Sequence, residues 1–272
     1  MKTVLVTGGA SGIGKGIAMH YLGNGDQVIA IGSSAKNGDA FYNQSKQIGA
    51  GERAVFIQAD LSLVAGNRRT IEEIKTHFPI LDTVIFCAAK HSNEYIETSE
   101  GLELTFALDY LSRFVLSYGL KELLEKSDNP VIMNVCGTGM KGEVNWDDLQ
   151  HKASFPSQKV MMHGSRLNDL SGVAFTQNDT AGKIKYILYN PMAVQTPGMA
   201  EYGGLLMKLI YKAIGKPVDR AVVPIIELLN NPPASALSAY RERKKLDLTL
   251  PAYDKGNAKR LYEVTTKLLS GI

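Results

Sequence analysis

Two cysteines, Cys87 and Cys136, are all the thiols that 272 residues offer. Two thiols make no disulfide framework, so the chain depends on a packed core instead. No apolar run approaches the ~18 residues that a membrane span needs, and the most apolar late stretch, 203–215, is broken by Lys208 and Lys212. Charge of one sign is also missing as a block. Thirty basic and 27 acidic residues leave a net +3, so nothing calls for a nucleic acid or an acidic membrane as partner. The short basic cluster Arg241–Lys245 is interrupted by Glu242 and reads as a solvated face. The five histidines (20, 77, 91, 151, 163) show neither His-x-x-x-His nor cysteine-rich metal spacing, so no metal site is expected. A Gly-x-Ser-x-Gly nucleophile elbow is absent as well. The first strand-like run starts at Thr3, which leaves no room for a signal peptide and makes a cytoplasmic protein the expectation.

What is present is a regular alternation of apolar and amphipathic runs, in a chain that is 44% hydrophobic and 21% charged. Strands are expected at Thr3–Thr7, Gln27–Ile31, Ala54–Gln58, Thr83–Ala88, Val131–Val135 and Lys185–Leu188. Helices are expected at Gly14–Leu22, Asp39–Ile48, Val64–His77, Glu100–Leu124 and Ser157–Phe175. Strands this apolar, separated by helices, imply a parallel sheet covered on both faces. The fold class read from the pattern is α/β: a doubly wound parallel sheet in three α/β/α layers. No repeat or linker divides the chain. One dinucleotide-binding domain over 1–272 is expected, with a helical appendage on the substrate side from about 198.

The first strand runs directly into Thr7-Gly8-Gly9-Ala10-Ser11-Gly12-Ile13-Gly14 and then a helix. Glycine belongs where a chain turns sharply and where backbone must approach a pyrophosphate, and the helix start then offers N–H groups and a positive dipole end to the anion. At the end of the second strand stand Gly32, Ser33, Ser34 and Lys36, with no carboxylate. An acidic residue there grips the ribose 2′-hydroxyl of NAD; two hydroxyls and an ammonium suit the 2′-phosphate of NADP. NADP is the expected cofactor, with an ordinary polar turn and NAD as the alternatives.

The spacing T-G-x-x-x-G-x-G resembles the short-chain dehydrogenase/reductase family. Asp60-Leu61 after the third strand is similar to the family's adenine-contacting pair. Cys87-Ala88-Ala89 stands where the family has Asn-Ala-Gly, and Asn134-Val135-Cys136-Gly137 where it has Asn-(Ile/Val)-Ser-Ser. Pro191-Met192-Ala193-Val194-Gln195-Thr196 is similar to its Pro-Gly-x-Val-x-Thr, and Trp146–Gln150 with the C-terminal tail looks most like the retinol-dehydrogenase-like branch. The resemblance implies a Rossmann fold, hydride transfer to or from a small carbonyl or alcohol, and cofactor contacts from Thr7, Gly8, Ser11, Gly12, Ile13, Gly14, Asp60, Leu61, Cys87, Ala88, Ala89, Arg166, Pro191, Val194 and Thr196. It also implies an oligomer, either a dimer through the 100–124 and 157–175 helices or a tetramer.

The catalytic half departs from the family's pattern. Anchored on Ser165, the family's Tyr falls on Met162 and its Lys on Arg166; its Ser falls on Gly137 and its Asn on Asp109. A thioether has no proton to give, and a guanidinium keeps its charge and differs in geometry. Displaced copies, Tyr42…Lys46 and Tyr240…Lys244, read as chance. His163 is the replacement proton donor by chemistry, although it lies ~100° around the helix from Met162. Asp109 is a second candidate, acting through water if burial raises its pKa. A substrate pocket is expected from 137–144, Met162 and the 198–215 tail. Two readings follow: an oxidoreductase with an atypical active site, or a non-catalytic dinucleotide-binding sensor or partner subunit.

Overall fold

The computed structural model describes residues 1–196 and 214–272. Seven parallel strands and one short antiparallel strand form a single sheet in the order β3-β2-β1-β4-β5-β6-β7-β8. The strands are β1 (Thr3–Thr7), β2 (Gln27–Gly32), β3 (Ala54–Gln58), β4 (Thr83–Phe86), β5 (Val131–Val135), β6 (Lys185–Asn190), β7 (Leu237–Arg241) and β8 (Lys244–Lys245). Alternate residues along each strand serve opposite layers. Leu5, Ile29, Val84 and Ile132 belong to one apolar cluster, and Val4, Val28, Ile85 and Met133 to the other, as the period of two in a doubly covered sheet requires.

One layer holds α1 (Gly12–Gly23), α2 (Ala35–Gln47) and the helix Val218–Asn230. Helix α1 points Ile17, Ala18, Tyr21 and Leu22 inward and stops at Asn24-Gly25, where Gly25 takes φ +88°. Helix α2 starts at Ser34, whose hydroxyl accepts the Asn37 N–H at 3.3 Å. The other layer holds α3 (Val64–His77), α4 (Ser112–Gly119), α5 (Lys121–Glu125) and α6 (Ser157–Asn178). The single helix expected over Glu100–Leu124 is instead a wide π turn at Phe106–Leu111 followed by α4 and α5. The periodicity of Leu104, Leu108, Leu111 and Val115 carries no mark of that extra residue.

Beyond the described gap, the tail is not purely helical. Helix α7 (Val218–Asn230) precedes β7 and β8, and α8 (Lys255–Leu269) ends the chain. Strand β7 pairs in register with β6, Ile187 beside Ser238 and Tyr189 beside Tyr240. Its sequence, LSAYR, has one central buried alanine, too little apolar character to stand out as a strand.

Helix α8 packs on the side where a dimer through the 100–124 and 157–175 helices was expected. It buries Ala258 and Leu261 against the same core cluster as α4 and α6. The Tyr262 ring packs on Phe114 at 5.7 Å and Tyr118 at 5.4 Å, and the Tyr110 and Thr265 hydroxyls meet at 2.5 Å. Arg260 lies over the Trp146 ring at 4.2 Å. The chain's own last helix therefore packs along both α4 and α6. Leu261→Ala should lower stability by about 2–4 kcal/mol, measured by urea unfolding. A loss below about 0.5 kcal/mol would show that α8 is not part of the core.

Candidate active site

Beside the carboxyl ends of the strands, where the order reverses between β1 and β4, the fold leaves a cleft of about 950 Å³, at the upper end of the usual range for ligand sites. Its walls bring together most of the residues picked from the sequence: Gly8, Ser11, Gly12, Ile13 and Gly14 from the first loop, Ser33 and Ser34 after β2, and Asp60 and Leu61 after β3. Cys87, Ala88 and Ala89 follow β4, Gly137 follows β5, and Pro191, Val194 and Thr196 follow β6.

The first loop is as tight as its glycines require. A Cβ at Gly14 would stand 2.4 Å from the Gly8 carbonyl oxygen, and one at Gly8, where φ is +66°, 3.0 Å from the Ala88 amide nitrogen. At Gly12 and Gly14 the first turn of α1 thus brings backbone without side chains to the cleft, a cradle that fits a dinucleotide pyrophosphate. The 193–196 segment closes above it. Thr196 lies near Gly12, and Gln195 and Lys216 are joined by a 2.8 Å backbone hydrogen bond.

Three expected contacts sit elsewhere. Thr7 is buried behind the loop, where its hydroxyl accepts the N–H groups of Cys87 and Ala88, both at 3.1 Å; it sets the spacing of β1 and β4 rather than lining the cleft. Lys36 is exposed and off the cleft wall, where Asn37 stands instead. Arg166 is the third. It donates from Nε to the Gly142 carbonyl at 3.2 Å, from one terminal nitrogen to the Met140 carbonyl at 2.6 Å, and from the other to Asp169 at 3.0 Å. Its fork is committed to the loop after β5.

The rotation of α6 explains this. The face lining the cleft carries Met161, Gly164, Ser165 and Asn168, spaced as one helical stripe. Met162 and Arg166 lie off that stripe. Ser165 is on it, close enough that a Cβ at Gly137 would fall 2.2 Å from its Oγ and 2.7 Å from the Met140 sulfur. A serine at 137 therefore has no room unless both side chains move. Met140 and Lys141 line the cleft with Gly137, as expected for that loop, whereas Met162 does not. The part of the expected substrate wall at 198–213 lies outside the described residues; Ile214 lines the cleft.

His163 is not in the cleft. It is buried, meeting the His151 ring edge-on at 4.7 Å. Burial, helped by the His151 charge, lowers its pKa to about 4. Asp109 does line the cleft, from the π turn. Its carboxylate accepts the Lys90 N–H at 3.1 Å and lies 3.3 Å from the His91 Nδ1, while its backbone carbonyl accepts from Asn168 at 2.9 Å. Burial raises the Asp109 pKa, with His91 and Arg113 opposing. Arg113, four residues on and buried, reaches the Asn134 side chain, the Val135 carbonyl at 2.9 Å and the Ala88 carbonyl at 3.0 Å. Neither Arg113 nor His91 is marked by a motif, so the sequence alone did not select them.

The other side groups are accounted for. Burial pushes the Cys87 and Cys136 thiols up to about 12, leaving them as poor nucleophiles. Tyr42 is exposed on α2 with the Lys46 ammonium 4.4 Å from its ring centre, and neither Tyr42 nor Tyr240 lines the cleft. Arg241, by contrast, is not simply a solvated charge. It lines the cleft and donates to the Gly139 carbonyl at 2.6 Å. Among the described residues, no cluster of three metal-ligating side chains occurs, and no helix is long and apolar enough to cross a membrane.

A parallel doubly wound sheet with a glycine loop at the start of α1 is a Rossmann-type nucleotide fold. The family model described as short chain dehydrogenase matches residues 2–147, and the chain belongs to the short-chain dehydrogenase/reductase family. Human retinol dehydrogenase 14 is 25% identical over 97% of this chain and 85% of its own length, in keeping with the retinol-dehydrogenase-like branch. Human polyprenol dehydrogenase is 28% identical over 57% of this chain, and that match spans 48% of its own length. A short-chain dehydrogenase from Sphingobium yanoikuyae, solved with NADPH, superposes with a TM-score of 0.68 at 16% identity, covering 100% of this chain and 96% of that one.

The depressed His163 value has a consequence for stability. Above the ordinary pKa of 6.5, His163 is neutral in both the folded and the unfolded chain. As pH falls from 6.5 to about 4, the unfolded chain takes up a proton that the folded one refuses. Stability is lost across that window, about 3 kcal/mol at most. Relative to His163→Leu, the wild type should therefore lose stability progressively from pH 6.5 to 4, measured by urea midpoints. Parallel curves for the two proteins would contradict the buried neutral imidazole.

Proposed function

We propose that the chain is an NADP(H)-binding oxidoreductase acting on a carbonyl or alcohol, with an active site that lacks the Ser-Tyr-Lys set its family resemblance leads one to expect. The observation that carries this reading is the continuity of one cleft from Ser33 and Ser34, past the glycine loop, to Gly137 and Asp109. Bound NADPH supplies a hydride to a carbonyl carbon. The chain's part is to hold the pyrophosphate at the start of α1, receive the adenine end at Asp60-Leu61, and place the reacting group between the loops after β4 and β5. NADP rather than NAD rests on Ser33 and Ser34 lining the adenine end, with no acidic side chain from Gly32 to Gly38 to repel a 2′-phosphate. Residues 1–272 act in this reading as one domain in a soluble, cytoplasmic protein. The names of the relatives make polyprenols and retinol the first alcohols to try.

The second reading is a non-catalytic dinucleotide-binding subunit. One observation favours it: no tyrosine is among the described residues lining the cleft. The two are separated by titrating NADPH and NADH against protein fluorescence and then offering a panel of aldehydes and ketones. NADPH should bind more tightly than NADH. Ser33→Asp, which sets a carboxylate beside the 2′-phosphate, should weaken NADPH about tenfold or more, roughly 1.4 kcal/mol, and leave NADH much less affected. Turnover supports the oxidoreductase. Binding without turnover supports the subunit, and failure to bind either nucleotide overturns both.

A further inference from the structure

We propose that His91 is the residue that gives the proton to, and takes it from, the substrate oxygen, and that Asp109 is its positioning residue. This rests on the oxidoreductase reading. Among the described residues lining the cleft, His91 is the one imidazole. Its Nδ1 lies 3.3 Å from the Asp109 carboxylate, and the side chain keeps 20% of its surface exposed against 9% for that of Asp109. The carboxylate is itself fixed: the Lys90 N–H binds one oxygen and Asn168 holds the Asp109 carbonyl. The contact is an ion-pair approach rather than a formed hydrogen bond, and a carboxylate beside Nδ1 favours a proton there, which makes Nε2 the exchanging nitrogen. The alternatives in and near the cleft are weaker. His163 faces His151, Arg166 holds a permanent charge and is bound to loop carbonyls, and the two thiols are poor acids at neutral pH.

The step balances. As the hydride from NADPH reaches the carbonyl carbon, the Nε2–H bond of the His91 imidazolium breaks and the proton goes to the carbonyl oxygen. The products are the alcohol, NADP⁺ and a neutral imidazole, which solvent reprotonates. Alcohol oxidation is the reverse. The other charged groups around the pair are Arg113 on α4, Glu103 just before the π turn, Lys90 on the β4 loop, and Lys141 on the β5 loop.

The test uses the full-length protein, with His91→Gln and Asp109→Asn. NADPH affinity is read by fluorescence, kcat and kcat/KM as pH profiles, and the imidazole ¹⁵N spectrum without cofactor, where the signal missing in His91→Gln identifies His91. The expected result is a fall in kcat of about 10²–10³-fold for His91→Gln, loss of one limb of its pH profile, and unchanged NADPH affinity. Asp109→Asn should lower kcat about tenfold and alter the Nδ1 signal of His91. Wild-type turnover with an unaltered His91→Gln rate and pH profile overturns the proposal alone, as does an Nδ1 signal unaffected by Asp109→Asn. NADPH binding with no turnover by the wild type overturns the oxidoreductase reading, and the proposal with it.

Discussion

The guanidinium of Arg113 sits where β4 and β5 end, and the cleft takes its shape from that one buried charge. It binds the Ala88 carbonyl on one side and the Asn134 side chain and Val135 carbonyl on the other. Asn134 in turn donates to Asn168 on α6 at 2.8 Å, and Asn168 donates to the Asp109 carbonyl. One side chain thus couples two strand ends, the π turn and α6. A buried cation is costly to desolvate unless its hydrogen bonds are met. Here three acceptors, the Ala88 and Val135 carbonyls and the Asn134 side chain, lose their guanidinium partner together if it is lost, which makes the arrangement all-or-none. Thr7 does the same on the cofactor side with a neutral group, joining β1 to the loop after β4.

These two ties explain why the cofactor half was legible in the sequence and the catalytic half was not. The phosphate loop is local. Strand, glycines and helix are contiguous, and the close approaches at Gly8 and Gly14 follow from backbone geometry that only glycine tolerates. Asp60, Ala88, Val194 and Thr196 each follow a strand whose apolar run is plain, so the end of the strand places them. Helix α3 was legible to the residue for the same reason. Arg113 and His91 belong to no pattern: one is a charge on an apolar helix, the other a loop histidine. Their roles arise from contacts across more than one element. The π turn is likewise invisible, because one residue inserted into a helix changes which side chains face inward without changing their types.

Helix α6 gives the sharpest case. A motif with i, i+4 spacing fixes which two residues share a face, but not how the helix is rolled against the sheet. Matching Ser165 as an anchor put Met162 and Arg166 at the functional positions. The anchor does reach the cleft; Met162 and Arg166 do not. The roll is set by Arg166 and Asp169, a buried ion pair that grips the Met140 and Gly142 carbonyls and accepts the Gly139 N–H at 3.4 Å. Such a pair contributes little net stability, yet it is strongly unfavourable to break by halves. Its effect is to specify geometry: Arg166 ties the β5 loop to α6, and the Met161–Asn168 stripe is left to face the cleft.

That geometry changes what the substituted positions mean. If Gly137, Met162 and Arg166 were independent losses in an otherwise ordinary site, restoring serine, tyrosine and lysine would rebuild it. The contacts argue otherwise. Serine at 137 meets Ser165 and Met140, and a lysine at 166 would replace a three-way fork with a point charge, leaving Asp169 and two loop carbonyls partly unmet. A tyrosine at 162 would start from a position one residue off the cleft stripe. The three residues are parts of one packing solution in which the β5 loop, α6 and Asp169 are mutually fixed. The opposite tie point is built differently: there the π turn carries Asp109 to the loop after β4, where its carboxylate accepts the Lys90 N–H and approaches His91.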